Sequence, residues 1–224
     1  MANCLDLFSP AMPAGQGRPR ILEVGAGSGK NIPILSDYGV VDAIELEPLA
    51  IRQLTACACL NRLYTQAVPF SLPERYHVIC SMDFLEHVDE DGAVLEWLVE
   101  HLYPGGLIFI TVPAYQWLFS FHDSALGHYR RYTTGELVKL ADSRLALLKK
   151  GYFNCFLFPL IALSRVASRL VPFRQGNGRK QSSTVPRGLS SILAAVLRSE
   201  NHLIHRHSLF PFGLTAFALF RRCD

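Results

Sequence analysis

The sequence predicts an α/β fold in which a parallel sheet is wrapped by helices, and three observations carry that prediction. Short β-branched apolar runs alternate with stretches whose apolar residues recur at helical spacing, the first run breaks at once into a glycine-rich turn, and the second ends on an acid. Strands that alternate with helices demand crossovers, which lay the strands parallel and put helices on both faces. Ligands of such sheets bind at the carboxyl ends of the strands.

Taken in order, residues 20–24 read as a strand, broken by Gly25-Ala26-Gly27-Ser28-Gly29, and a helical stretch leads through Ile34 and Leu35 to Tyr38. Residues 40–45 form the second strand, and Pro48 opens a helix over 49–59, the proline sitting near the first turn where its missing N–H costs nothing. Residues 63–65 and 76–81 supply the third and fourth strands. Val94, Leu95, Leu98, Val99 and Leu102 share one stripe of a helix between 92 and 102, which Pro104-Gly105-Gly106 stops. The run 107–112 is too continuous and too β-branched to be anything but a buried strand. Thr133 and Glu136 form a capping box that launches a helix through Leu137, Leu140 and Ala141. The last two strands fall at 145–148 and 213–220, and between them lie helix-like stretches at 160–170 and 189–204, joined by a polar segment at 174–187.

Composition narrows the class. A chain of 224 residues, 50% hydrophobic and 18% charged, can bury one sizeable core and is too apolar for disorder. Its 16 Gly and 13 Pro follow no period, which excludes collagen-like and solenoid architectures. The start lacks the charged and apolar regions of a secretory signal and no uncharged apolar run reaches the length of a membrane span, so the expected location is cytoplasmic. The cysteines, Cys4, Cys57, Cys59, Cys80, Cys155 and Cys223, include no CxxC pair and no histidine at zinc spacing, so they read as reduced thiols and no metal is expected. Charge is uneven: residues 1–151 carry 12 Lys/Arg against 17 Asp/Glu, and residues 152–224 carry 10 against 2. A basic tail suits anionic partners, an anionic membrane surface among them, although a solvated arginine-rich face is the plainer explanation. No aromatic-basic motif supports nucleic acid as a partner.

The glycine turn separates three chemistries. A phosphate-binding P-loop would need glycine where Val24 stands and Ser or Thr where Asn31 stands. A dinucleotide fingerprint would need its third glycine at Lys30, which disfavours a nicotinamide-dependent oxidoreductase. The pattern present is Glu23-x-Gly25-x-Gly27-x-Gly29, and Glu45 follows Gly25 by 20 residues at a strand end, where a carboxylate can accept both hydroxyls of a ribose.

On these residues the chain resembles the class I S-adenosylmethionine-dependent methyltransferases. Two further stretches strengthen the likeness: the run from Tyr76 through Leu85-Glu86-His87-Val88 is similar to the family's fourth-strand signature, and Leu102-x-Pro104-Gly105-Gly106 to its turn before the fifth strand. The resemblance implies a Rossmann-like, doubly wound seven-stranded sheet, mostly parallel with an antiparallel last strand. It implies a single domain over 21–224 after a lead-in at 1–20, with a helical insertion at 152–207. It implies S-adenosyl-L-methionine as cofactor and S-adenosyl-L-homocysteine (SAH) as product. Glu23 would help hold the methionine ammonium, Gly25, Ala26, Gly27 and Gly29 would let backbone approach the ligand, and Glu45 would take the ribose. Leu46 would pack beside the adenine, Gln66 and Ala67 would meet its edge, and Ser81 and Met82 would line the methionyl end. Gln66 stands where the family commonly has Asp; its amide oxygen can accept the same bond without charge.

Beyond the fifth strand, His122-Asp123 and Gly127-His128-Tyr129-Arg130-Arg131-Tyr132-Thr133 resemble a subgroup of these methyltransferases found in bacterial envelope and glycolipid gene neighbourhoods. The implied acceptor is a small molecule, a glycan or a lipid-linked compound. Tyr115, Arg130, Arg131 and Tyr132 are the candidates to bind it, and His122 or His128, oriented by Asp123, is the candidate base for a hydroxyl acceptor. Two alternatives stay open on the residues alone. Asp123 and the arginines could instead clasp the loop to the Leu85-Glu86-His87 turn, and the protein could bind the cofactor without catalysis, as a regulator. In the tail, Leu160, Leu163, Val166, Ala167 and Leu170 share one stripe, which suits either a cap over its own domain or an interfacial helix on a lipid acceptor or membrane.

Overall fold

A computed structural model describes residues 17–141, 143–170, 200 and 210–223. Its strands are β1 (Arg20–Val24), β2 (Val40–Ile44), β3 (Leu60–Tyr64), β4 (Tyr76–Met82), β5 (Leu102–Pro113), β6 (Leu145–Phe153) and β7 (Thr215–Arg222). The helices are α1 (Ile32–Tyr38), α2 (Pro48–Thr55), α3 (Asp91–Glu100), α4 (Phe121–Ala125), α5 (Thr134–Leu140) and α6 (Phe158–Leu170). The strands form one sheet in the order β3-β2-β1-β4-β5-β7-β6. The first five are parallel, while β7 runs antiparallel to both β5 and β6. This is the Rossmann-like seven-stranded sheet with an antiparallel last strand.

The pleat divides the core. Successive residues of β1 and β4 point to opposite faces: Leu22, Val24 and Ile79 pack with α3 and α5 on one side, and Ile21, Val78 and Cys80 with α1 and α2 on the other, Tyr76 joining the first side across the register shift before Val78. Both faces are covered, which is why these strands read as unbroken apolar runs rather than alternating ones.

Several boundaries differ from expectation for local reasons. The helix after Pro48 ends at Thr55 instead of reaching residue 59, because the Ala56 N–H turns back to Gln53 and Leu54 and the chain must enter β3 at Leu60, in register with Val41. The Pro104-Gly105-Gly106 turn does not precede the fifth strand but lies within it. Between the pairs Tyr76–Leu102 and Val78–Leu107 the register shifts, and the extra residues bulge at Gly105 (φ +76°). β6 extends to Phe153 because β7 pairs with it throughout; its Lys149-Lys150-Gly151 centre masks the strand pattern yet suits a sheet edge. Tyr152 and Phe153 are therefore strand residues, not the start of the helical insertion. On the apolar stripe of α6, Leu160 and Leu163 are 62% and 68% exposed, while Phe158 of the same helix meets the Tyr115 ring. The expected joint at 174–187 lies outside the described residues, as does the helix at 189–204 except for Glu200, which is buried and accepts the Phe156 N–H at 3.1 Å.

Candidate active site

The carboxyl ends of β1, β2, β4 and β5 converge on one edge. After β1, Gly25, Gly27 and Gly29 take φ values of +72°, +53° and +74°, a region that favours glycine. A Cβ on Gly25 would lie 2.6 Å from the Phe84 ring, whereas one on Gly27 would meet nothing within 4 Å. The turn is thus packed behind and open in front. Its N–H groups at Gly25 and Ala26 bond the Ile44 carbonyl at 3.0 and 3.1 Å, fastening it to the tip of β2.

Glu45 does more than sequence reasoning assigned to it. One of its carboxylate oxygens accepts the Gly27 N–H at 2.6 Å, and the other accepts those of Leu46 and Glu47 at 2.7 and 2.8 Å. It splices the glycine turn to the entry of α2, and the oxygen that accepts Gly27 keeps a lone pair for a ribose hydroxyl. Leu46 is half exposed beside it, and Gln66 and Ala67 stand exposed just past β3. Ser81 and Met82 end β4 in the interior, with the Ser81 Oγ unpartnered.

Glu23 is the informative acid. It is 1% exposed; Asn31 donates to Oε1 at 2.6 Å, and among the described residues Oε2 has no partner. Burial pushes its carboxyl up to about 7, and the Asn31 hydrogen bond only partly offsets this, with nearby Glu45 adding to the rise. A buried acid with an open oxygen suits a cationic partner, and an amino acid ammonium is one. The residues present fit S-adenosylmethionine: an acid for its ammonium, an open glycine turn for its backbone, a strand-end acid for its ribose and an exposed leucine for its ring.

Next to this crevice lies a cavity of about 380 Å³. Asp83, Glu86, His87, His128 and Arg131 form its polar side, and Pro113, Leu126, Ile161 and Leu214 much of its apolar side. His128 Nδ1 lies 3.2 Å from Asp123 Oδ1. Asp123 also accepts Arg131 Nε at 2.8 Å and Nη2 at 2.7 Å, and its second oxygen closes a capping box on Ser120 at the start of α4. Burial works to raise Asp123, but the Arg131 and Ser120 hydrogen bonds outweigh it and hold the carboxyl below the usual range. β1 and β4 pair side by side with Val24 against Ser81, so the glycine turn after β1 and the Asp83–His87 wall of this cavity after β4 leave neighbouring strand ends.

The other candidates are placed differently. His122 is exposed on α4 and does not line the cavity. Arg130 clasps Asp89 and Asp91 beyond the Leu85-Glu86-His87 turn at 3.1 and 2.9 Å, and the Tyr132 hydroxyl donates to Asp91 at 2.8 Å. The Tyr129 N–H bonds the Glu86 carbonyl at 2.8 Å, so the loop is tied to that turn through backbone, while the ion pairs of Asp123 are with Arg131 and His128 inside the loop itself. Tyr115, at φ +60°, stacks on Tyr152 with ring centroids 5.2 Å apart, outside the cavity lining. Glu86 and His87 line the cavity although their sequence motif marks only a turn; their place directly after the fourth strand's carboxyl end is the signal that points to them.

This sheet, with a glycine turn and two acids at the tips of its first two strands, defines a class I S-adenosylmethionine-dependent methyltransferase. A family described as "Methyltransferase domain" matches residues 2–151, and the chain belongs to that family. Among curated proteins it is 31% identical over 100 residues to a ubiquinone biosynthesis O-methyltransferase of Aeromonas salmonicida, covering 41% of this chain and 42% of that protein. It is 26% identical over 105 residues to one of Pseudomonas fluorescens, covering 43% and 45%. The matches thus span less than half of these relatives. Among solved structures, an S-adenosylmethionine-dependent methyltransferase from Clostridium acetobutylicum superposes with a TM-score of 0.60 at 11% identity, over 99% of this chain and 90% of that one. The plantazolicin methyltransferase in complex with SAH gives 0.60 at 13% identity, over 100% and 83%. At such identities the structural likeness speaks for the fold. Among the described residues no helix is long and apolar enough to cross a membrane.

Proposed function

We propose that the protein transfers the methyl group of S-adenosylmethionine to a hydroxyl of a small-molecule or lipid-linked acceptor held in the cavity beside the glycine turn. The observation that supports this reading is the His128–Asp123 pair, 3.2 Å apart, on the polar side of a cavity that adjoins the cofactor crevice. When bound, the cofactor supplies a methyl on a sulfonium that is already activated. The protein's part is to align the acceptor with it and exclude water. Asp123, held ionised by Arg131, accepts a hydrogen bond from the Nδ1–H of His128, which fixes the tautomer that leaves Nε2 as the acceptor for a hydroxyl proton. Such a positioned base contributes about 10²–10⁴-fold. Pro113, Leu126 and Ile161 of α6 give the cavity an apolar side, which favours an acceptor with an apolar portion. The O-methyltransferase names of the curated relatives agree with a hydroxyl acceptor.

Calorimetry with SAH followed by a methyl-release assay on lysate lipids and small molecules tests the reading. Gly27→Val and Glu45→Ala are expected to abolish SAH binding, the first by placing a side chain in the open face of the turn at a positive φ and the second by removing the ribose acceptor; unchanged affinity in both would refute the cofactor site. His128→Ala is expected to keep SAH affinity and lower turnover by at least about 100-fold. Full turnover with the true acceptor would remove His128 from the chemistry.

A further inference from the structure

The polar side of the acceptor cavity holds a donor set that proton transfer alone does not account for. Glu86 has no solvent exposure, and among the described residues neither of its carboxylate oxygens has a partner on another residue. An isolated buried carboxylate is costly unless it is paired or meets a metal. The turn Leu85–His87 places His87 next to it, and His128 arrives from the loop after α4. One ligand atom from each of Glu86, His87 and His128 lies within 4.8 Å of the other two, and the imidazoles meet edge to face with centroids 4.6 Å apart.

Two imidazoles and a carboxylate suit borderline divalent ions such as zinc. Metal-bound histidines also hold their second ring nitrogen on a carboxylate or a backbone carbonyl, which fixes the ring. Both rings here are fixed in that way: His128 Nδ1 by Asp123 at 3.2 Å, and His87 by a hydrogen bond to the backbone of Gly127. Arg131 acts on Glu86 through space, and its side-chain bonds go elsewhere. Its Nε and Nη2 are on Asp123 at 2.8 and 2.7 Å, and Nη1 is on the Ala114 carbonyl at 3.2 Å.

We propose that Glu86, His87 and His128 form a three-ligand site for a divalent cation, open toward the acceptor cavity. Ligands at ordinary zinc distances stand about 3.4 Å apart in a tetrahedral set, so binding draws the three groups inward by about an ångström. The fourth position faces the cavity and suits an anionic or hydroxyl oxygen of the acceptor; this last point rests on the methyl-transfer reading, whereas ion binding does not. The ion and the acceptor's proton compete for His128 Nε2, so the two uses are alternatives that experiment separates.

The test uses the full chain carrying Cys57→Ser and Cys59→Ser, which removes the half-buried and the exposed thiol of this CxC as a competing zinc site, stripped with chelator and titrated with Zn²⁺ and with Co²⁺. One ion per chain is expected, with the visible absorption of cobalt on nitrogen and oxygen ligands. Glu86→Gln and His128→Ala are each expected to weaken binding at least about tenfold while circular dichroism and SAH affinity hold. Should Glu86→Gln fail to fold, His128→Ala carries the comparison. No saturable binding, or unchanged affinity in the variants that fold, overturns the site. If no ion binds while His128→Ala still loses turnover, the cation proposal falls and the base reading stands. If the ion binds and SAH does not, the cofactor reading falls and the cation site stands.

Discussion

Two ends of the same sheet treat buried acids in opposite ways. Low in the sheet, Asp42 of β2 is 1% exposed with both oxygens engaged. Asn61 donates to Oδ1 at 2.7 Å, and the Tyr76 hydroxyl and Arg20 donate to Oδ2 at 2.9 and 3.2 Å. At the carboxyl edge, Glu23 has one open oxygen and Glu86 has two, and burial pushes their carboxyls up to about 7 and about 8. The chain can therefore satisfy a buried acid where it has only to fold, and it leaves acids open beside the glycine turn and the neighbouring cavity. Unsatisfied burial is a cost that a ligand can offset, which makes it a pointer to function rather than to stability.

The contrast is sharpest under mutation. Asp42→Ala strips Arg20, Asn61 and Tyr76 of a shared acceptor, and urea denaturation is expected to show a loss of about 3 kcal/mol with SAH affinity intact. A loss under about 1 kcal/mol would erase the distinction between the two ends. Glu23→Gln works the other way. A native pKa of about 7 above an unfolded value of 4.5 means that ionisation is harder in the folded state, so Glu23 costs stability as pH rises from about 4.5 to about 7. Glu23→Gln is expected to stabilise the ligand-free protein by about 2 kcal/mol at pH 8, with the gain vanishing below about pH 4.5, and to weaken SAH binding. Equal stability of variant and parent at pH 8 would mean that the carboxylate is solvated there. The smallest effect belongs to Thr133→Ala, which removes a satisfied cap on α5 (Thr133 Oγ1 accepts the Glu136 N–H at 3.2 Å). A loss of about 1 kcal/mol with unchanged SAH affinity is expected from thermal melts.

Much of the crevice was legible along the chain because its parts are short and local. Gly25, Gly27 and Gly29 sit in one turn with the positive φ that their identity suggests, and Glu45 ends its strand as its spacing implies. The acceptor side was less legible. His122 and His128 flank Asp123 in sequence, yet only His128 meets it, because the start of α4 turns His122 outward while Gly127 folds the chain back. Arg130 and Arg131 are neighbours with different tasks, one clasping Asp89 and Asp91, the other fixing Asp123. The open acids could not be found from their letters, since Glu23, Glu86 and Asp42 are equally acidic residues in or next to apolar strands.

Residue order dictated the sheet, the helices and the glycine turn, because periodicity and backbone permissiveness act over a few neighbours at a time. Which acids go unpaired, which histidine faces the cavity and which arginine is spent on a clasp were settled by folding. Those outcomes depend on groups tens of residues apart arriving at one strand edge, where distance and desolvation, not identity, set the chemistry.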